Sequence, residues 1–261
     1  MKKYLKAVWQ FCSYEERGTG TCFTNNRSQH MNSFILSVIR IKPIRYLLLI
    51  FMRIGLFQKR TINKYLRRTD EPKLQIGCGT NPLVGWLNTG ISLRECWYGY
   101  YLDAGKPFPL PNASFDYVYS EHLFEHLTYQ QAMNMLKESY RVLKPGGIFR
   151  IATPDLQFLM RLYQEPEKPL YRQYMEYSVR ECGLPTKAVY IISRFHTSWG
   201  HQIIYDKETL IGLLEETGFR DITPCEVGKS EHPALNDIEG HFKELPYEFD
   251  LLETMIFEAT K

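Results

Sequence analysis

A short strand that runs into a glycine turn constrains the fold of this chain more than any other feature. In the stretch Lys73-Leu-Gln-Ile-Gly-Cys-Gly-Thr-Asn81, an apolar run enters a turn with two glycines, and a second apolar run, Trp86–Ile91, follows one short crossover later. Glycine at such a turn lets the backbone bend tightly and come close to a ligand. The spacing predicts the beginning of a nucleoside-binding βαβ unit.

Strand and helix patterns alternate from this turn to the end of the chain. A helical pattern covers Tyr129–Leu143, and Asp206 is the expected N-cap of a helix over Lys207–Thr217, with Gly218 at its C′ position. This alternation predicts an α/β fold with a doubly wound, mostly parallel sheet, whose ligands bind outside the carboxyl ends of the strands. The predicted strands are Leu74–Ile76, Trp86–Ile91, Trp97–Leu102, Phe115–Ser120, Gly147–Ala152, Asp221–Val227 and Glu253–Thr260.

Charge divides the chain near Asp70-Glu71-Pro72. Residues 1–72 hold 14 Lys and Arg against 4 Asp and Glu, about +10, whereas residues 73–261 hold 18 against 25, about −7. We therefore expect a basic N-terminal extension over residues 1–70, partly disordered and helical from about residue 34. The main domain is expected over residues 71–261, with an insertion at about 156–203.

The extension contains an apolar segment, Ile44–Phe57, surrounded by cations. Its longest uncharged run, Tyr46–Met52, is much shorter than the roughly 20 residues that span a bilayer. Residues 34–68 could lie on an anionic membrane surface, but packing against the main domain is the preferred interpretation. The chain shows neither an apolar signal region at its start nor cysteines at zinc-binding spacing, so we expect a cytoplasmic protein, with peripheral membrane contact as the alternative.

Further motifs follow the glycine turn in a fixed order. They are Tyr101–Asp116, Val118–Leu127, Arg141-Val-Leu-Lys-Pro-Gly-Gly147, Glu215-Glu-Thr-Gly-Phe219 and Phe257-Glu-Ala259. Together these motifs resemble the Rossmann-like (class I) S-adenosylmethionine-dependent methyltransferases, most of all the bacterial group with EHL after strand four and LKPGG before strand five, and the likeness covers residues 73–155 well. The resemblance implies S-adenosylmethionine as cofactor, methyl transfer as reaction, and a seven-stranded sheet with an antiparallel last strand.

The resemblance also implies a cofactor site. The glycine turn would contact the methionine end and the ribose, Asp103 would accept from the adenine amino group, and the end of strand four would face the sulfonium and the acceptor. Asp103 has a second interpretation, as a carboxylate that caps its own loop. The implied cofactor-binding residues are Gln75, Gly77, Cys78, Gly79, Asn81, Gly90, Asp103, Ala104, Ser120 and Glu121.

At three of these positions the chain departs from the family pattern. Gln75 stands where the family usually has an acid, Asn81 where a third glycine is common, and Gly90 where the ribose-binding acid belongs. Either water fills the place of that acid, which we favour, or Glu95 returns to it from the following loop. The departures also leave open a second function, that of a non-catalytic, methyltransferase-like binding protein.

Histidines supply the predicted acid–base chemistry. His122, after strand four, is the leading candidate for a general base, and His201, in the insertion where we expect the acceptor pocket, is the second. The expected acceptor is a small molecule, a glycan or a lipid-linked molecule. Nucleic acid is not favoured, because the basic residues of the extension are not interleaved with aromatic residues as in a recognised binding module.

The run His122-Leu-Phe-Glu-His126 also satisfies H-x-x-E-H, a zinc peptidase pattern in which two histidines bind the metal and the glutamate is the base. That pattern needs a long helix and a further acidic ligand, whereas this run follows a strand directly. We therefore predict no metal here, interpret His126 as structural, and keep the zinc metallopeptidase only as a minor alternative.

Overall fold

A computed structural model describes residues 58–92, 99–180, 182–241 and 245–261. All of these belong to one compact unit, residues 49–261. Most of the predicted extension, including the apolar segment Ile44–Phe57, lies outside the described residues, as does Glu95.

Seven strands form one mixed sheet in the order β3-β2-β1-β4-β5-β7-β6. The first five are parallel to one another, and β7 runs antiparallel to both β5 and β6. This confirms the doubly wound sheet with an antiparallel last strand. The strands are β1 (Lys73–Ile76), β2 (Leu87–Gly90), β3 (Tyr100–Tyr101), β4 (Phe115–Glu121), β5 (Leu143–Pro154), β6 (Arg220–Cys225) and β7 (Thr254–Thr260).

Helices cover the sheet, and the helix over residues 207–216 begins at its predicted capping residue. Asp206 accepts a hydrogen bond from Thr209 N at 2.8 Å, and Gly218, with a φ of +102°, follows the same helix. Apolar side chains from the strands and from the second helix, such as Leu74, Val118 and Leu136, are fully buried in the main core. The helices are α1 (Gln58–Arg68), α2 (Tyr129–Val142), α3 (Leu156–Gln164), α4 (Pro169–Val179), α5 (Ala188–Thr197), α6 (Lys207–Glu216) and α7 (Tyr247–Glu253).

Helix α1 lies in the range that its positive charge led us to place in the N-terminal extension. In the structure this helix packs on the main domain. Ile62 is 3% exposed within the core, and Tyr65 Oη donates to Lys73 O at 3.0 Å. The Lys and Arg side chains of this helix are exposed. For residues 58–68, this agrees with packing against the main domain, the preferred interpretation of segment 34–68. No helix among the described residues is long and apolar enough to cross a bilayer, and membrane contact through residues 34–68 stays a prediction.

The predicted insertion contains α3, α4 and α5, which have a core of their own. Phe158, Tyr174 and Ile191 are buried there, together with Phe249 of α7. The insertion starts directly after β5, and its end returns to the turn after β4, where Gln202 N and Ile203 N donate to Glu125 O at 2.7 and 3.2 Å. It therefore lies beside the carboxyl ends of β4 and β5.

Candidate active site

The glycine turn lies at the carboxyl end of β1, as predicted. Gly77 and Gly79 have φ values of +69° and +49°, in the left-handed region that favours glycine. A Cβ on Gly77 would lie 2.8 Å from Leu123 Cδ2, so the turn also needs glycine for space at this position. Cys78 between them is buried, and its N–H donates to Thr89 O at 2.8 Å, which fixes the turn against β2.

Gln75 supports the loop that follows this turn. Its side chain is buried, with Nε2 donating to Asn81 O at 3.0 Å and Oε1 accepting from Leu83 N at 3.1 Å. A carboxylate could accept but not donate, so an acid could not hold both ends of the loop in this way. The structure thus gives a physical reason for glutamine at this position, and its contact with a cofactor stays a prediction.

A segment that sequence reasoning missed, residues 238–241, packs against the same loop. Asn81 Nδ2 donates to Ile238 O at 3.3 Å, and a Cβ on Gly240 would lie only 2.3 Å from that Nδ2 atom. Glu121 Oε1 accepts from the N–H groups of Gly240 and His241 at 2.8 and 3.0 Å. The Glu121 carboxylate therefore anchors this segment, and burial raises its pKa.

Asp103 follows β3 and uses its carboxylate within its own loop. Oδ1 accepts from Gly105 N at 3.1 Å, and Oδ2 lies 3.0 Å from Lys106 Nζ. The Asp103 carboxylate therefore caps its own loop, as the second interpretation expects. The side chain is still 27% exposed, and a carboxylate has about four acceptor sites, so it can also accept from a ligand. Ala104 beside it is buried, with its carbonyl accepting from Asn134 Nδ2.

Gly90 and Ser120 stand at or near the carboxyl ends of β2 and β4, the two strands that flank β1. Gly90 is the last residue of β2, is buried, and accepts from Leu102 N at 2.9 Å. Ser120 lies opposite Ile76 in the β1–β4 pairing and is 1% exposed. Its hydroxyl has no hydrogen-bond partner within the described part of the chain. A buried hydroxyl of this kind needs a partner, so Ser120 stays a predicted ligand contact.

Histidines and carboxylates form a cluster directly after β4. His122 Nδ1 lies 3.3 Å from Glu125 Oε1, and its Nε2 lies 3.2 Å from Thr254 Oγ1. The His122 backbone has a φ of +45°, which is unusual for a residue other than glycine. Its ring stacks on that of His241, with centroids 3.9 Å apart. Contacts with the nearby Glu125 and with two distant segments therefore hold this strained residue in place.

Protonation is the main point on which the structure departs from the predicted role of His122. Burial disfavours its cation, but the hydrogen bond and charge of Glu125, with the charges of Glu121 and Glu253, outweigh burial and raise the His122 pKa to about 9. Burial opposes ionisation of Glu125 as well, yet His122 lowers the Glu125 pKa to about 2. At neutral pH the pair is an imidazolium and a carboxylate. A protonated imidazole cannot accept a proton, so this state disfavours His122 as a general base.

His201 also lies near Glu125, with ligand atoms of the two residues within 4.8 Å of each other. Its Nδ1 is 2.7 Å from Phe195 O, which makes this nitrogen the donor and leaves the lone pair on Nε2. Burial lowers the His201 pKa, so the ring is neutral at pH 7. The ring centroid of His126 is 4.8 Å away. The structure thus brings both predicted catalytic histidines close to one buried carboxylate, Glu125.

Four further residues of the cluster were missed by sequence reasoning. His241 Nδ1 lies 3.1 Å from Asp250 Oδ1 and 3.7 Å from Glu253 Oε1, and Tyr174 donates to the same Glu253. Asp250 and Glu253 lie on α7, whereas Tyr174 lies on α4 and His241 in segment 238–241. These segments have no recognisable motif, and only tertiary packing brings them together.

The H-x-x-E-H run, residues 122–126, does not form the helix that a zinc peptidase requires. Only Phe124–His126 forms a single 3-10 turn, and the positive φ of His122 takes that residue out of any helix. The two histidines of H-x-x-E-H are therefore not one turn apart on a helix face.

Comparison with known proteins agrees with the predicted family. Residues 74–151 match the family model described as "Methyltransferase domain". A curated "Probable S-adenosylmethionine-dependent methyltransferase" of Mycolicibacterium smegmatis is 47% identical over 47 residues, which are 18% of this chain and 18% of that protein. The chain therefore aligns with less than a fifth of the length of this relative.

Solved structures of similar proteins align over more of the chain. An S-adenosylmethionine-dependent methyltransferase of Archaeoglobus fulgidus is 18% identical, with 88% of this chain and all of that chain covered, at a TM-score of 0.44. One from Mesorhizobium loti is 15% identical over 77% of this chain and 96% of that chain, at a TM-score of 0.45. The fold assignment rests on the strand order described above. Residues 74–151 therefore match a methyltransferase domain, and a short part of the chain is similar to a curated S-adenosylmethionine-dependent methyltransferase.

Proposed function

We propose that the whole chain transfers a methyl group from S-adenosylmethionine to an acceptor bound beside the ends of β4 and β5. The observation that supports this most is the glycine turn, with both glycines in left-handed backbone and Gly77 too close to Leu123 for any side chain. It lies at the carboxyl edge of a parallel sheet, where such folds bind ligands. The buried hydroxyl of Ser120 stands at the same edge.

The acceptor would lie between this edge and the insertion. Helices α3, α4 and α5 begin directly after β5 and return to Glu125, so they flank the ends of the strands on the side away from β2 and β3. A small molecule, a glycan or a lipid-linked molecule would reach the methyl group from there. Catalysis would rest chiefly on alignment of the acceptor with the sulfonium, since orientation alone contributes about 7–11 kcal/mol in favourable cases.

Titration calorimetry with S-adenosylmethionine and S-adenosylhomocysteine tests the cofactor assignment. Asp103→Ala should weaken binding by about 1.5–3 kcal/mol, or roughly tenfold or more, because a charged hydrogen bond is lost. Lys106→Ala is the matched control, since it removes the 3.0 Å ion pair to Asp103 but leaves the carboxylate in place. Absence of binding to both molecules by folded wild-type protein would instead support a non-catalytic relative.

Gly90→Asp tests the place of the missing ribose acid. Gly90 belongs to β2, whose extended backbone an aspartate can adopt. If water fills the gap, the new carboxylate should tighten binding by about 1–3 kcal/mol. Weaker binding in a stably folded variant, together with weaker binding of Glu95→Ala, would show that Glu95 already occupies the place.

A further inference from the structure

Three side chains next to the proposed acceptor pocket have the composition of a metal site. Glu125, His126 and His201 each offer one ligand atom, and these atoms all lie within 4.8 Å of one another. We infer that this set binds one divalent transition-metal ion, with zinc the best match to two imidazoles and a carboxylate. The sequence alone predicts no metal here, because the H-x-x-E-H run lacks the long helix and the further acidic ligand of a zinc peptidase. It does not connect His126 with His201, which lies 75 residues further along the chain.

The burial and contacts of the Glu125 carboxylate are the main support for the metal site. This side chain is fully buried, and Oε2 accepts from Thr153 Oγ1 at 3.1 Å. Two ring nitrogens lie near Oε1: His122 Nδ1 at 3.3 Å, a long distance for a charged pair, and His126 Nε2 at 3.9 Å. A fully buried carboxylate is costly unless close cations or donors balance its charge. A metal ion between Oε1 and the imidazoles of His126 and His201 would add a close cationic partner.

His201 is prepared to act as a ligand. Its Nδ1 donates to Phe195 O at 2.7 Å, which fixes the ring and leaves the Nε2 lone pair available. Histidines that bind metals almost always donate their other ring N–H to a carbonyl or carboxylate in this way. The carboxylate of Glu125 is oriented by Thr153 in the same manner. Both ligands thus have the supporting contacts that metal sites use.

The size of the cluster suits zinc after a small contraction. Zinc binds nitrogen and oxygen ligands at about 2.0–2.2 Å, so tetrahedral ligand atoms are roughly 3.3–3.6 Å apart. The ligand atoms here lie within 4.8 Å, and Glu125 Oε1 to His126 Nε2 is 3.9 Å. Each needs to move by no more than about 1 Å. Three protein ligands leave a fourth position for water or for an acceptor atom.

A neighbouring set, His122, His241 and Asp250, is also compact but is a weaker candidate. Asp250 Oδ1 already accepts from Thr254 Oγ1 at 2.8 Å and lies 3.1 Å from His241 Nδ1. Its polar atoms satisfy one another, so no cation is needed there.

The proposed ion would tie the insertion to the turn after β4. His201 belongs to the end of the insertion, whereas Glu125 and His126 belong to the 3-10 turn after β4. The backbone of Gln202 and Ile203 already joins the two through Glu125 O. The inference gives His201 the role of a ligand in place of the general base predicted from the sequence.

The test uses the full chain, freed of metal with a chelator and titrated with Zn²⁺ by calorimetry. We expect one equivalent to bind, and affinity to fall by at least about tenfold in His201→Gln and His126→Gln. His196→Gln is the matched control, because His196 is exposed on α5 and should bind zinc as the wild type does. Substitution with Co²⁺ should give a spectrum without thiolate charge transfer, which distinguishes this site from the cysteines.

No zinc binding by the folded wild type would overturn the inference, as would unchanged affinity in both histidine variants or a thiolate spectrum with cobalt. Circular dichroism of each variant checks folding, and the second variant serves if the first does not fold. The two histidine variants should keep wild-type affinity for S-adenosylmethionine. Failure of the metal site and failure of the proposed function would therefore be seen in separate titrations.

Discussion

Replacing Gly240 by alanine should strain the contact between segment 238–241 and the loop after the glycine turn. The backbone of Gly240 lies outside the left-handed region, so a methyl group adds no local backbone strain. Its Cβ would, however, lie 2.3 Å from Asn81 Nδ2 and 2.4 Å from Asn81 Cγ. Favourable contacts between heavy atoms are at about 3.5–4.0 Å, so one of the two segments must shift by more than 1 Å. Overpacking of this kind costs about 1–3 kcal/mol.

A second substitution, Asn81→Gly, tests whether overlap with the Asn81 side chain causes the destabilisation by Gly240→Ala. Asn81→Gly removes the hydrogen bond from Nδ2 to Ile238 O, for about 0.5–1.5 kcal/mol, and adds backbone freedom, for about 0.5–1 kcal/mol. In its background, Gly240→Ala should cost less than about 0.5 kcal/mol, since no side chain remains to overlap. Gly212→Ala is the control, because no atom lies within 4 Å of a Cβ there.

Urea unfolding of the four proteins of this cycle gives the coupling free energy, and titration with S-adenosylmethionine shows whether the strain reaches the cofactor site. We expect Gly240→Ala alone to weaken cofactor binding, since Asn81 follows the glycine turn directly. Additive free energies, within about 0.3–0.5 kcal/mol, would refute the assigned contact.

Two further changes test the local arguments. Gly77→Ala should destabilise the protein more than Gly79→Ala, because both glycines have positive φ but only the first methyl would overlap Leu123; equal shifts in thermal unfolding would contradict this. Glu138→Gln should lose about 1.5–3 kcal/mol at neutral pH, since Glu138 accepts from Arg141 at 2.9 and 2.6 Å. The hydrogen bond from Arg141 lowers the Glu138 pKa, so this stabilisation is present above the unfolded carboxyl pKa and is lost as pH falls through the folded value. A difference from wild type that does not shrink in acid would refute the assignment.

Local patterns in the sequence determined most of the fold. The apolar run before Gly77, the helical spacing of α2 and the N-cap Asp206 each involve residues close together in the chain, and each appears in the structure where it was expected. Turn and cap preferences depend on the backbone of a few adjacent residues, so a sequence alone can reveal them. The order of the motifs, through the resemblance to a known family, then predicted the cofactor and a seven-stranded sheet with an antiparallel last strand.

Contacts between distant segments decided the chemistry of the site. Segment 238–241 contacts Asn81, although more than 150 residues separate them in the sequence. No sequence pattern in either stretch predicts this contact. The charge of His122 depends on Glu121, Glu125 and Glu253, which three-dimensional packing brings together. A pKa follows from burial and from neighbouring charges, and a metal site follows from the distance between ligand atoms. These quantities exist only once the chain has folded, and for this reason the sequence could name His122 and His201 but not their protonation states or their common partner, Glu125.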